Sequence, residues 1–489
     1  MAPDQAQRPI LAGFHPDPSI CRAADGYYLV TSSFEYVPGV PIYRSRDLQD
    51  WEQVGHVLDR RSQLDVSRAA PSGGIFAPTL RYHDGCFYLI TTNVSDGGGH
   101  LLVTATDPAG PWSDPIRMPG LPGIDPDLAW DADGTCYLTW SGYREHRPIG
   151  IVQAILDPRT GAVHSGPQLI WKGTGGQYPE GPHLHARGGV WYLVIAEGGT
   201  ERGHLVAVAR GPSPAGPFES HAGNPILTRR STSSPVQGTG HADLVQRYDG
   251  SWAAVYLGCR PRGGNAGWCP LGREVFAQEV VWTDGWPSLA APILPGGPAR
   301  ICSNDGTAMA QLAPVWASPR RHPRELISRT PRGWRITHDR GSGDAALVGR
   351  RQQHLFCRVR AELDAASGTG GLSLWIDPHH RYDLEVTGRT IRAIARIGSI
   401  RHVIAECAWT GATLQLHTEP AIASPQQSSA GPDVVVLSAG STELARLDGR
   451  YLSTEVAGGF TGRMVGVHAS SGHVTLTSWE YAGDDDGSP

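Results

Sequence analysis

The chain has 489 residues, with 42 Lys and Arg against 47 Asp and Glu, for a formal charge of −5. That balance supplies no basic field for nucleic-acid phosphates or anionic lipid, so a nucleic-acid partner is excluded. Gly and Pro, 62 and 39 residues, make up about a fifth of the chain and demand many turns, while 40% hydrophobic residues leave enough for a sizeable core.

At ~150 residues per domain the length predicts two large units or three ordinary ones. The opening Met-Ala-Pro-Asp-Gln-Ala-Gln-Arg-Pro has no apolar run of the kind a secretory leader needs, and no later stretch approaches the ~20 apolar residues of a membrane span. The expectation is a soluble, cytoplasmic chain with no membrane partner. Eight scattered cysteines without a C-x-x-C pair predict reduced thiols rather than a zinc knuckle or a disulfide framework.

A turn followed by an aromatic and aliphatic strand recurs five times. The units begin at Asp25-Gly26, Asp84-Gly85, Asp133-Gly134, Gly188-Gly189 and Asp249-Gly250, and Asp-Gly before alternating aromatics is a strong hairpin signal. Gly26, Gly85, Gly134, Gly189 and Gly250 are separated by 59, 49, 55 and 61 residues, the length of four short strands with loops. Further strand-like segments at 101–106, 149–156, 204–209 and 275–282 lie between the hairpins, and residues 57–70 read as a short helix in a loop. Five all-β units in tandem predict a five-bladed propeller over residues 1–300.

The innermost strand of every blade lines one central channel. Nine residues before each turn glycine stand Asp17, Phe76, Asp125, Glu180 and His241. Three of the five are carboxylates, and each lies beside proline: His15-Pro16-Asp17-Pro18, Asp125-Pro126 and Tyr178-Pro179-Glu180-Gly181-Pro182. Proline fixes φ and biases the preceding residue to extended geometry, which holds a side chain still in advance. Carboxylates gathered on one axis repel one another and resist desolvation, so the pattern points to function.

Two carboxyl groups facing across a sugar suffice for glycoside hydrolysis, one protonating the departing oxygen and one activating water or attacking the anomeric carbon. A third, ionised, favours the protonated form of the acid beside it. The other use of converging carboxylates is a cation cage, which needs more oxygens; Asp131-Ala132-Asp133-Gly134 lacks the later Glu of a calcium loop and falls on a hairpin turn. His183 and His185 alternate along a strand and share a face, as ordinary strand residues do, although two imidazoles so placed could bind a metal. His241 could cap the channel, hold a calcium ion through water, or hydrogen-bond Asp125.

The segments Pro9 to Cys21, Ser32 to Val40, Ser72-Gly73-Gly74-Ile75-Phe76-Ala77-Pro78, Asp125-Pro126-Asp127-Leu128, Tyr178 to Leu184, Gly240-His241-Ala242-Asp243 and Leu271-Gly272-Arg273-Glu274 resemble glycoside hydrolase family 43 β-xylosidases, in order along nearly the whole chain. The resemblance implies an inverting reaction with Asp17 as general base, Glu180 as general acid and Asp125 as modulator of the acid's pKa and orienter. Inversion requires the base and acid to stand roughly 6.5–9.5 Å apart. It also implies that Arg273 hydrogen-bonds sugar hydroxyls, and that Phe34 and Phe76 wall the non-reducing-end pocket, with Phe76 replacing the Trp of many relatives. The implied activity is an exo-acting β-1,4-xylosidase on xylo-oligosaccharides. An α-L-arabinofuranosidase acting on arabinose-substituted oligosaccharides is the near alternative, and a sugar-binding propeller without catalysis the distant one. No cofactor is required, a calcium ion near His241 is the one candidate metal, and a homo-oligomer is compatible with the chain.

After Trp286-Pro287 a Pro/Ala-rich passage breaks the repeat. Short alternating runs at 355–361, 372–376, 382–386, 390–397, 413–417, 434–438 and 464–469 predict a β-sandwich over 301–489, and the resemblance implies a concanavalin-like accessory domain. In relatives this domain lends a loop to the active-site pocket, which makes Phe460, between Gly458-Gly459 and Thr461-Gly462, the candidate contact. The tail Gly483 to Pro489 is expected to fray.

Overall fold

A computed structural model describes residues 7–265, 267–297, 300–303, 312–338, 345–421 and 430–485. The chain divides into two compact units. The first comprises Met1–Leu11, His15–Cys259 and Glu274–Gly296; the second comprises Ala12–Phe14, Arg260–Arg273 and Gly297–Pro489. Two short pieces of the propeller sequence therefore group with the later unit, a division that a single cut near residue 300 does not capture.

The first unit is a five-bladed β-propeller. The inner strands of blades I to V are Ser19–Ala23, Thr79–His83, Gly123–Trp130, Glu180–Arg187 and Gln237–Gln246. Each pairs antiparallel with the strand after its repeat turn, in registers such as Ala23↔Gly26, His83↔Cys86 and Gln246↔Trp252. Asp84 at φ 47° and Gly85 at φ 78° give the left-handed pair that a two-residue hairpin turn requires. Each gap between blades is filled by its own apolar cluster. Leu80, Leu89 and Val30 pack between blades I and II, and Leu184, Leu193 and Ile151 between III and IV. Ile20, Leu29, Val245 and Val255 pack between V and I and close the ring. The N-terminal segment adds to blade V through Ile10 N to Val275 O at 2.8 Å.

The second unit is a β-sandwich. One layer runs Ala346–Arg351, the first half of Met464–Asp484, Gly368–Asp377, His380–Thr387, Thr390–Ile397 and Ile400–Ala408. The second half of Met464–Asp484 passes into the other layer, between Gly333–Thr337 and Phe356–Asp364, which continues through Leu414–Glu419, Val434–Ala439 and Thr442–Asp448. Leu372, Leu384, Leu416, Leu437, Val467 and Trp479 fill the space between the layers.

Two expectations are corrected. Residues 57–70 contain no helix: the strand Glu52–Leu58 ends there, and Gln63 gathers the turn by accepting from Asp59 and Arg60 N–H and donating to Trp112 and Ser113 carbonyls. The last strand continues to Asp484. Asp485 is pinned by Arg260 at 2.7 Å and by the Leu355 N–H at 2.9 Å, so the tail is ordered to that point and 486–489 lie outside the described residues. Among the described residues seven cysteines are free, and Cys21, Cys136, Cys269 and Cys357 among them are buried.

Candidate active site

Backbone strain marks the propeller end where the inner strands begin. Asp17, Asp125 and His241 adopt φ of 56°, 57° and 50°, and Phe34 and Tyr178 adopt 50° and 51°. Left-handed backbone in residues other than glycine costs on the order of 1–3 kcal/mol each and clusters at functional sites. In blades III, IV and V the strain coincides with bulges that break the ladder between Ile124 and Asp127, Glu180 and His183, and Gly240 and Asp243. A bulge re-aims the side chains around it: Asp125 and His241 lie within theirs, and Glu180 directly precedes the third, at Gly181.

Each acid is then held by polar contacts. Ser32 Oγ donates to Asp17 Oδ2 at 2.6 Å, and the Ser32 N–H donates to the Pro16 carbonyl at 3.0 Å. The Gly181 N–H donates to Asp125 Oδ2 at 3.1 Å. Glu180 opens its strand opposite Ala196, and the preceding Pro179 carbonyl accepts from Ser141 Oγ at 2.8 Å. Asp17 and Asp125 are buried, whereas Glu180 keeps partial exposure, as a group that must meet a substrate does. His241 Nδ1 stands 3.7 Å from Asp17 Oδ1, so the imidazole faces the blade I acid.

These contacts link the three acids into one site. A Cβ on Gly181, whose φ is 55°, would lie 2.8 Å from His241 Cε1, so the residue after Glu180 packs on the ring that faces Asp17 while its N–H holds Asp125. The half-buried phenol of Tyr143 is pushed up to about 12 by desolvation and by the charges of Asp125 and Glu180. Phe34 and Phe76 meet edge to face at 5.8 Å. Gly74 lies so close to the Phe34 carbonyl that any Cβ would collide with it. Arg273 and Phe460 fall in the second unit, where the guanidinium lies 5.4 Å over the Phe460 ring. Arg273 is followed directly by Glu274, the first residue of a blade V strand.

Beneath the acids lies a polar plug that the sequence reading did not find. Arg81 of blade II pairs with Asp127 of blade III at 2.6 Å and Asp243 of blade V at 2.8 Å, and it meets His183 Nδ1 of blade IV at 2.9 Å. Ser19 Oγ and the Ile20 N–H of blade I donate to Asp243 at 2.8 and 3.0 Å, and His185 Nε2 stands 3.1 Å from the same carboxylate. All five blades therefore share one buried network. Burial would raise the Asp243 carboxyl, but Arg81 and the two histidines hold it well below the usual carboxylate range. The signal was present: Ser19, Asp127 and Asp243 each lie two residues past an active-end position, polar where an inner strand is buried.

Around His241, Gly181 packs on the imidazole, and Asp127 and Asp243 both pair with Arg81. No group of three or more His, Cys, Asp or Glu side chains suited to a metal occurs among the described residues. His183 and His185 do share a face, turned to Asp243.

The model for glycosyl hydrolases family 43 matches residues 6–287, and that for the β-xylosidase C-terminal concanavalin A-like domain matches 310–480. A xylosidase/arabinosidase of Butyrivibrio fibrisolvens is 48% identical over 293 residues, 58% of this chain and 56% of that protein, so the match spans only about half of the relative. A non-reducing-end α-L-arabinofuranosidase of Bacteroides ovatus is 35% identical over 503 residues, 95% of this chain and 91% of that one. The crystal structure of a xylan β-1,4-xylosidase from Bacillus halodurans C-125 superposes with a TM-score of 0.85 at 31% identity, covering 98% of this chain and 100% of that one.

Proposed function

The chain belongs to glycosyl hydrolases family 43, and from that premise we propose that it is an exo-acting, inverting β-1,4-xylosidase releasing xylose from the non-reducing end of xylo-oligosaccharides. The observation that carries the reading is the linkage of Asp17, Asp125 and Glu180 through His241 and Gly181 at one end of the propeller.

In this mechanism Asp17 takes a proton from the attacking water. Its second oxygen accepts from Ser32, which fixes the carboxylate plane. Glu180, partly exposed, gives its proton to the departing glycosidic oxygen. Asp125, tied to the Gly181 N–H, fixes the backbone that carries Glu180 and favours its protonated form. Phe34 and Phe76 offer apolar faces to the C–H surface of the sugar.

A second reading, α-L-arabinofuranosidase, is favoured by the Bacteroides ovatus relative, which aligns over 95% of this chain. The two separate by kcat/KM on xylobiose and on an aryl α-L-arabinofuranoside. A larger value on xylobiose is expected, and cleavage of the arabinofuranoside alone would replace the first reading with the second.

A further inference from the structure

The inner strands that carry the acids at one end of the channel also converge at the other. Five residues beyond Asp17, Phe76, Asp125, Glu180 and His241 stand Arg22, Arg81, Trp130, His185 and Gln246. All five line a basin of about 310 Å³, at the lower end of the ~300–1,000 Å³ usual for small-ligand sites. Five strand residues at ~3.3 Å each separate it from the acids by roughly 16 Å. The Arg81, Asp127, Asp243 and His183 plug lies between.

The lining combines flat rings with nitrogen donors. Trp191 and Trp252, cross-strand partners of Ala186 and Gln246, stand with Trp130 as its walls. His83 stacks on Trp130 at 4.5 Å and 9° and stiffens that wall. Arg22 is held in place by its bond to the Arg247 carbonyl at 2.7 Å and by the Tyr248 ring 5.3 Å away, while keeping further N–H groups. No Asp or Glu lines the basin. The nearest acids of the plug, Asp127 and Asp243, are wholly buried and paired to Arg81. A neutral sugar presents hydroxyls that must donate as well as accept, and a lining without carboxylates serves it poorly. A ring that carries an acceptor-only group matches both the aromatic walls and the donors.

We propose that this basin is a second binding site, apart from the catalytic acids, for a small ring-bearing carboxylate, either a sugar acid or an aromatic acid. The proposal does not depend on which glycoside the other end cleaves.

Titration of the full chain with D-glucuronate, benzoate and, as the neutral control, xylose tests it, read by calorimetry and tryptophan fluorescence in the Asp17→Ala background. The expected result is saturable binding of at least one carboxylate in the mM range, weakened roughly tenfold by Arg22→Gln and largely kept by Arg22→Lys. Binding of glucuronate alone identifies a sugar acid, and binding of benzoate alone an aromatic acid. Absence of saturable binding for both up to roughly 50 mM, equal binding in Arg22→Gln, or xylose binding that Arg22→Gln weakens as much as it weakens the carboxylates overturns the proposal.

Discussion

Replacing Arg81 with Met removes the group on which all five blades converge, since the guanidinium also donates to Ser19 Oγ at 3.3 Å and the Ile20 carbonyl at 3.4 Å of blade I. The guanidinium meets Asp127 and Asp243 at 2.6 and 2.8 Å, and both carboxylates have 0% exposure. Methionine fills much of the volume but leaves two buried carboxylates without their cation, a loss of about 3–5 kcal/mol. With a denaturant slope of about 3 kcal/mol per molar urea, the propeller midpoint falls by roughly 1–1.7 M. The loss also depends on pH. In the parent chain Asp243 is held below its unfolded value of 3.8, so its stabilisation is present above that pH and lost as pH falls through the folded value. Without Arg81 the burial effect dominates and reverses the shift, so the destabilisation of Arg81→Met grows as pH rises above about 4. Urea unfolding followed by tryptophan fluorescence at several pH values between 4.5 and 8 reads both effects. A midpoint within experimental error of the parent, or a difference that shrinks as pH rises, refutes the reasoning.

The catalytic roles are tested by Asp17→Ala and Glu180→Ala, each expected to lower kcat on xylobiose by about 10²–10⁴. Only the Glu180 variant should recover on an aryl xyloside with a good leaving group, where no acid is needed. Ser32→Ala deletes the 2.6 Å bond to Asp17, and a charge-assisted bond of ~1.5–3 kcal/mol corresponds to a roughly tenfold or greater fall in kcat/KM, with Ser32→Thr close to parent. Gly181→Ala should lower kcat and also lower the urea midpoint, since its Cβ would press on the buried His241 ring at a backbone φ of 55°. Burial lowers the His100 imidazole from 6.5 to about 3. The unfolded chain therefore takes up a proton that the folded one refuses, and stability falls by up to ~1.36 kcal/mol per unit as pH drops from 6.5 towards 3. His100→Gln should flatten that slope by one proton.

The propeller was legible because its signal is local. Asp-Gly turns followed by alternating aromatics recur, and counting back from Gly26, Gly134 and Gly189 reached Asp17, Asp125 and Glu180. What alternation could not show is the set of bulges at Asp125, Gly181 and His241, because an extra residue in one strand leaves the composition unchanged and alters only the aim of side chains. The plug escaped for another reason. Arg81, Asp127 and Asp243 come from different blades, and only closure of the ring brings them within ion-pair distance. In the sandwich, Ile400–Ala408 was missed because it is an edge strand whose exposed Arg401 and His402 interrupt the apolar rhythm. Met464–Asp484 read as ending early because Ser470-Ser471-Gly472 looks like a turn, although it is where the strand crosses between layers.

The assignment of Asp17 as base and Glu180 as acid in a single displacement is tested most directly by the first sugar released. Proton NMR of xylobiose hydrolysis, recorded before mutarotation and with Asp17→Ala as control, should show α-xylose appearing first. β-Xylose as the initial product would mean a covalent intermediate and would contradict the account.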